Sequence, residues 1–116
     1  MSINKSRNFF KVPHRFEECY GEKLRPSEKY FFIILLKLEN RFAKDGWFWH
    51  ADKKFLTKDE RHIIGFEAYG FSTSSCKRTR KKLKALDIIE TKYGWNKLGH
   101  RAGTFYRIKY EKFNGT

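Results

Sequence analysis

Six of the eight residues from Lys77 to Lys84 are lysine or arginine, and this basic run constrains the fold more than any other feature. Cations three and four residues apart repel one another on a helix, so the run needs apolar contacts to hold it in place. Cys76, Leu83 and Leu86 supply such contacts, because their spacing puts them on one side of an α-helix. The sequence therefore predicts an amphipathic helix over about residues 73–86, with a cationic outer side.

Two more helices are predicted upstream of the basic one. The first covers about residues 27–43, with Ser27 as its N-cap. The second covers about residues 58–69, because Thr57 and Glu60 have the spacing of a capping box. The apolar stripe of the first helix consists of Phe31, Ile34, Leu35, Leu38 and Phe42. Together with the basic helix, these two helices would form a three-helix core.

Turns and strands complete the predicted order of elements. Gly70 can end the second helix in a left-handed conformation, and Ser72 can cap the basic helix. Strands are predicted over about residues 47–51, 88–95 and 104–110, with a polar hairpin loop between the last two. The order of helix, strand, helix, turn, helix and hairpin predicts an α+β, mostly helical fold, the winged helix-turn-helix, with the hairpin as its wing.

The chain of 116 residues is expected to form one domain. That domain covers residues 26–112, with an N-terminal arm at residues 1–25 and a C-terminal tail at residues 113–116. The formal net charge of +13 attracts polyanions. The longest apolar run, residues 30–36, is too short to span a bilayer, and the N-terminus lacks the apolar core of a signal peptide. We therefore expect a cytoplasmic protein of a bacterial or archaeal host, with a nucleic-acid partner and no membrane contact.

The segments Gly70 to Arg78 and Leu83 to Glu90 resemble winged-helix DNA-binding domains. The pattern of those domains is glycine, an apolar residue, serine, a variable pair, serine or threonine and an apolar residue, followed by two leucines and an isoleucine-rich strand. The resemblance covers roughly residues 27–110 and implies double-stranded DNA binding, with the basic helix in the major groove. Two departures are Asp87, where these domains usually have glycine, and the segment Asp52 to Ile63, which is longer than their usual lead into the second helix.

A narrower resemblance concerns Phe9 to Pro13 and Leu24 to Lys29, which precede an apolar helix. These segments look like the opening of phage and plasmid replication-initiator domains, of the O-type or DnaD-like replisome organisers. This resemblance implies a role in replication initiation, with origin DNA and replisome proteins as partners. A transcriptional regulator of the same fold is the alternative, and a homodimer is compatible with either role.

Candidate DNA contacts fall on the basic helix and on the wing. The N-terminal part of a helix in the major groove meets base edges, and arginine and lysine suit guanine O6 and N7. The expected base contacts are Thr73, Ser74, Lys77 and Arg78. The expected contacts to the DNA backbone are Ser72, Arg80, Lys81, Lys82 and Lys84 on the helix, and Lys92, Lys97, His100 and Arg101 in or beside the wing, about residues 92–104. Both basic groups are expected to face one side of the protein.

Catalysis and metal binding have weaker signals. Asp87, Glu90 and Lys92 superficially fit a D…ExK nuclease centre, but no second carboxylate precedes them on a strand at suitable spacing. The four histidines are scattered, and neither cysteine lies in a CxxC pair. We therefore predict no catalytic residue, no metal and no cofactor.

RNA or single-strand binding would need aromatic side chains exposed on a sheet. Trp47, Trp49 and Trp95 are the candidates, but tryptophans in strands more often close a core, and we expect that here. The sequence therefore favours duplex DNA over a single strand.

Overall fold

A computed structural model describes residues 16–96 and 101–113. The helices are α1 (Phe16–Tyr20), α2 (Pro26–Phe42) and α3 (Thr73–Ala85), the strands are β1 (Trp47–His50), β2 (Phe55–Leu56), β3 (Ile63–Ile64), β4 (Ile89–Asn96) and β5 (Arg101–Ile108), and 3₁₀ turns cover Phe66–Tyr69 and Tyr110–Phe113. Both sheets are antiparallel: one has the strand order β1-β5-β4, and the other pairs β2 with β3. None of the helices in the described part of the chain has both the length and the apolar composition that crossing a membrane requires.

The predicted fold class is wrong, because the described residues contain no three-helix winged-helix core. Within residues 16–96 and 101–113, only α2 and α3 are long helices, and five antiparallel strands accompany them. The segment predicted as the second helix, about residues 58–69, instead forms a turn, strand β3 and a 3₁₀ turn of four residues. The error lies in one segment, since the order of α2, β1, α3, β4 and β5 was predicted.

The capping-box interpretation of Thr57 failed because its hydroxyl serves a hairpin turn. Thr57 Oγ1 donates to the Asp59 carboxylate at 2.5 Å, and the Thr57 N–H donates to the His62 carbonyl at 2.9 Å. Glu60 has a φ of 58°, which a helix does not allow. Gly65 has a φ of 129°, and a Cβ there would lie 2.4 Å from a backbone carbonyl oxygen. The positive φ angles of Glu60 and Gly65 therefore prevent a helix from continuing through Ile63–Ile64 in either direction.

Helix α2 begins one residue earlier than predicted. Pro26 occupies its first turn, and the Arg25 N–H donates to the Glu28 carboxylate at 2.7 Å, so Ser27 is not the N-cap. The predicted stripe is buried except at its end, where Phe42 is 55 % exposed. The chain turns to an extended conformation at Ala43, which explains why the last apolar residue is left outside.

Helix α3 matches its prediction at both ends. Ser72 Oγ accepts a hydrogen bond from the Ser75 N–H at 3.1 Å, which confirms the N-cap. The helix ends at Ala85, and Asp87 adopts the left-handed conformation with a φ of 63°, as glycine does in the domains that this segment resembles. Cys76, Thr79 and Leu83 are buried, so the predicted inner side is confirmed.

The main core lies between the long helices and one face of the three-stranded sheet. It also takes in Phe16 of α1 and Phe113 of the last 3₁₀ turn, residues that the sequence had placed in an arm and a tail. The Phe16 ring stacks on Phe32 at a centroid distance of 4.6 Å. A second, smaller cluster of Trp49, Ala51 and Phe55 lies under the β2–β3 hairpin. The sheet is therefore covered on both faces.

The strand register assigns each residue of the sheet to one of these two faces. Tyr106, which is fully buried in the main core, pairs with Thr91 of β4 and Phe48 of β1. Because side chains alternate along a strand, Ile89, Thr91, Tyr93 and Trp95 share that face. We call it the α3 side. The opposite face, the far side, carries Trp49, Phe105 and Lys92, which occupy one cross-strand row.

Candidate nucleic-acid interface

The solvent-facing side of α3 forms one continuous surface. At about 100° per residue, its exposed residues cover an arc of about 140°, and the buried Thr79, Leu83 and Cys76 lie outside that arc. We call this surface the outer face of α3; it consists of Thr73, Ser74, Lys77, Arg78, Lys81 and Lys84. All four predicted base-contact residues belong to it.

The cations of the outer face have no acidic partner among the described residues. The side chains of Lys77, Lys81 and Lys84 make no hydrogen bond or ion pair with any residue that the structure describes. Arg78 donates one long hydrogen bond, 3.4 Å, to Ser75 Oγ. Four positive charges thus stand on about two turns of helix without an acidic partner among the described residues, which costs folding free energy through mutual repulsion.

Arg80 lies on the inner side of the same helix and is fully engaged. Its guanidinium donates to both carboxylate oxygens of Asp52, at 2.8 and 3.0 Å, and to the Tyr106 hydroxyl at 2.9 Å. Burial opposes the charge of Arg80, but these hydrogen bonds outweigh it and raise the pKa of the guanidinium. We therefore remove Arg80 from the predicted DNA-backbone contacts, since it joins α3 to the sheet.

Lys82 is also paired within the protein. Its ammonium donates to the Glu28 carboxylate at 3.0 Å and so joins α3 to the first turn of α2. Burial raises the pKa of Glu28, but the Arg25 N–H and the Lys82 ammonium outweigh it and lower that pKa overall. Lys82 therefore also leaves the predicted contact set. Ser72 stays exposed, although its hydroxyl already bonds Ser75.

The hairpin places its described cations on the far side of the sheet. The Lys92 ammonium lies 4.4 Å from the centroid of a Trp47 ring, and the Arg101 guanidinium lies 5.0 Å from that of Phe55. The expectation that Lys92 and Arg101 face the same side as α3 is therefore wrong, because strand alternation turns them to the opposite face. Lys97 and His100 lie outside the described residues.

Two aromatic residues of the hairpin were missed by the sequence analysis. Tyr93 is 78 % exposed and Trp95 is 69 % exposed, and both lie on the α3 side of β4. Trp95 was expected in the core, and that expectation is wrong, whereas Trp49 is buried as expected and Trp47 is half-buried. The period-two pattern from Ile89 already indicated the face of Tyr93 and Trp95. Their exposure depends on how far β4 extends past the core.

The acidic residues of the suggested nuclease motif are used in ion pairs. Glu90 pairs with Arg107, its direct cross-strand neighbour, at 2.5 Å. Asp87 receives hydrogen bonds from Lys109 and Lys112, which lower the pKa of its carboxyl to about 2. No group of three or more potential metal ligands occurs in the parts of the chain that are described. These ion pairs therefore join the start of β4 to the end of β5 and to the residues that follow it.

His50 is the one buried histidine among the described residues. Its ring packs edge-on against Phe66 at a centroid distance of 4.7 Å, and its Nε2 has no hydrogen-bond partner. Burial lowers the pKa of the imidazole to about 4, although Asp52 acts in the opposite direction. His50 is thus a neutral member of an aromatic cluster. His62 is exposed, and His14 and His100 lie outside the described residues.

Comparison of this chain with protein-family models, with curated proteins and with solved structures gives no match. The geometry and charge of the chain itself are therefore the basis for a functional proposal. Its most distinctive feature is the exposed cationic surface on the outer face of α3.

Proposed function

We propose that this protein binds double-stranded DNA by inserting the outer face of α3 into the major groove. The observation that carries the proposal is the division of cations on one helix. Arg80 and Lys82 are neutralised by the protein's own acids, whereas Lys77, Arg78, Lys81 and Lys84 are exposed and have none among the described residues. A polyanion is the partner that removes the repulsion among these four charges.

The dimensions of α3 suit a groove of B-form DNA. A helix of 13 residues is about 20 Å long and about 10–12 Å wide with its side chains, and the major groove is about 12 Å wide. Lys77, Lys81 and Lys84 follow one line along about 10 Å of the axis. Inserted lengthwise, such a helix has cations within reach of phosphates while its first turns lie at the base edges.

Thr73, Ser74, Lys77 and Arg78 are the proposed base contacts, because they form the N-terminal half of the outer face. Arg78 is the strongest candidate for sequence discrimination, since a guanidinium makes a bidentate pair with guanine O6 and N7. Lys81 and Lys84, further along the helix, are proposed to contact phosphates together with the exposed start of α3 at Ser72.

The test compares two variants that lose the same charge. Lys77→Gln/Lys81→Gln removes two cations from the outer face, and Lys23→Gln/Lys44→Gln removes two exposed cations elsewhere. Binding to a fluorescent duplex is titrated at several salt concentrations. We expect the first variant to lower the slope of log affinity against log salt by about two and to weaken binding at least tenfold at 0.1 M salt. Equal losses in both variants would show only non-specific attraction and overturn the proposal.

Base readout is tested separately with Arg78→Ala. If Arg78 contacts a base, this variant loses discrimination among duplexes selected from a random pool as well as affinity. Uniform weakening on all sequences would assign Arg78 to a phosphate. The same selection addresses the biological role: direct repeats favour a replication initiator, and a two-fold symmetric consensus favours a dimeric regulator. Both roles stay predictions from sequence resemblance.

A further inference from the structure

We infer that Tyr93 and Trp95 stack on unpaired bases beside the duplex held by α3, so that the preferred ligand is a junction between double-stranded and single-stranded DNA. The inference rests on the proposed function, because it assigns a second part of the ligand to the same surface. It adds a substrate class that the charge of α3 alone does not specify.

Both aromatic side chains are exposed and have no side-chain partner among the described residues. Tyr93 is 78 % exposed and Trp95 is 69 % exposed. Neither makes a ring contact, a hydrogen bond or a cation–π contact with any described residue, whereas Trp47 on the far side lies under an ammonium. Adjacent exposed aromatic rings form the kind of surface on which single-stranded nucleic acids stack.

The two rings lie on the side of the sheet that α3 covers. Arg80 of α3 donates to the Tyr106 hydroxyl, and Tyr106 pairs directly with Thr91, the residue before Tyr93 on the same face of β4. The other partner of Arg80, Asp52, follows the end of β1, where His50 pairs with Thr104 and Thr104 pairs with Tyr93. Helix α3 therefore passes close to the cross-strand row that contains Tyr93.

The orientation of α3 brings its cations toward this row. Residues are about 100° apart on a helix, so Lys77 and Lys84 lie at the border of the outer face that is nearest to Arg80. Arg80 in turn contacts the α3 side of the sheet through Tyr106. A strand of nucleic acid that leaves a duplex on the outer face can thus pass from the lysines toward the aromatic rings.

The spacing of the two rings fits stacked bases. Alternate residues on a strand are about 6.7 Å apart, which is twice the separation of about 3.4 Å between stacked bases. One base fits between two rings at that distance, or each ring stacks on its own base. Adjacent bases in an intact duplex have both faces covered, so this arrangement requires bases that are unpaired.

Positive charge near the rings favours nucleic acid over partners that offer apolar surface without negative charge. The net charge is +13, and four cations without an acidic partner among the described residues lie on the helix beside the rings. A second copy of this chain would bring a second set of such cations and would be repelled. An anionic membrane surface has compatible charge, and vesicles of mixed phosphatidylcholine and phosphatidylserine therefore form one arm of the test.

The test uses four DNA ligands that share one duplex. The first is blunt, the second has a 3′ tail of thymidines and the third has a 5′ tail of thymidines. The fourth has an abasic tail with the length and polarity of whichever thymidine tail binds more tightly. The abasic tail keeps the phosphates and removes the bases. We expect the protein to bind one thymidine tail roughly tenfold more tightly than the blunt duplex, and to lose most of that advantage on the abasic tail.

Variants then assign the effect to the rings. Tyr93→Ala and Trp95→Ala should each remove most of the advantage of the tail and leave binding to the blunt duplex within about twofold. Trp95→Phe should keep part of the advantage and Trp95→Leu should not, since leucine is apolar but cannot stack. Phe42→Ala, at an exposed ring on α2, is the matched control and should change neither value. Thermal unfolding checks that each variant is folded.

The outcomes separate this inference from the proposed function. Binding to the blunt duplex with no preference for thymidine over abasic tails overturns the inference and leaves the function standing. Failure to bind any of the ligands overturns both. Binding to anionic vesicles that depends on Tyr93 and Trp95, without a preference for thymidine tails, would assign the rings to a membrane surface and also overturn the inference.

Discussion

Arg80 and Lys81 are neighbours in the sequence, about 100° apart around the same helix, and they have different surroundings. Arg80 is 15 % exposed and holds Asp52 and Tyr106, whereas Lys81 is exposed and has no partner among the described residues. The positive charge of Arg80 therefore holds the fold together, whereas that of Lys81 is exposed to solvent. A basic run is therefore not one feature: the inner cations of α3 hold the fold, and its outer cations are exposed.

The largest expected effect comes from breaking the inner pair. Arg80→Ala leaves the Asp52 carboxylate and the Tyr106 hydroxyl without their partner, so we expect the free energy of unfolding to fall by about 3 kcal/mol in urea denaturation. Lys81→Ala is the matched control and should not destabilise the fold. A loss below about 1 kcal/mol for Arg80→Ala would contradict the structural role of this residue.

The next effect concerns His50, a histidine that the protein interior keeps neutral. The imidazole of His50 has a pKa of about 4 in the fold, below its ordinary value of 6.5, so the unfolded chain binds the extra proton first. Stability is complete well above pH 6.5 and falls as the pH decreases toward 4, by about 2–3 kcal/mol at pH 4.5.

Denaturation curves at pH 7 and pH 4.5 measure this dependence. His50→Phe keeps a ring against Phe66 but cannot take up a proton, so its stability should change less over the same interval. An identical pH dependence in the variant and in the parent protein would show that other groups cause it.

A smaller effect is expected from the half-exposed pair between α3 and α2. The side chain of Lys82 is 38 % exposed, and its partner Glu28 also accepts the Arg25 N–H. Lys82→Ala should therefore lower the free energy of unfolding by about 0.5–1 kcal/mol, with a smaller loss at high salt. A loss as large as that of Arg80→Ala would place Lys82 among the residues essential for folding.

The smallest effect has the opposite sign. Lys81 is four residues from Lys77 and three from Lys84, and like charges at these spacings destabilise a helix by a few tenths of a kcal/mol per pair. Lys81→Ala should therefore raise the free energy of unfolding by about 0.5 kcal/mol at low salt while it weakens DNA binding. A stability gain joined to a loss of binding would be the clearest sign that the outer face is kept for a ligand. A loss of stability would contradict the division between the two sides.

Sequence patterns predicted α3 well because its signals are local. The cap at Ser72, the inner positions of Cys76 and Leu83 and the left-handed residue after the helix all depend on neighbours within a few positions. The outer positions of Lys77 and Arg78 follow from the helical period alone. The candidate base contacts were therefore accessible from the sequence, although their function stays a proposal.

The segment between β1 and α3 was mispredicted because its local signals conflict. Thr57 and Glu60 have the spacing of a helix cap, but the turn from Thr57 to His62 uses the threonine hydroxyl for itself, and Gly65 requires a conformation that a helix lacks. The Phe55 ring of β2 packs edge-on against Trp49 of β1, a contact between residues of two different sheets. Such contacts outweigh propensity and cannot be read from a single segment.

Periodicity and capping act over a few residues, so the amino-acid sequence was enough to predict where the two long helices and the final hairpin form, and which side of each helix is apolar. Only the tertiary structure decided which cations are neutralised inside, which face of the sheet Lys92 and Tyr93 occupy relative to α3, and which rings stay in water. Those outcomes depend on distances between elements far apart in the chain, and the packing of the core sets these distances only when the whole chain has folded.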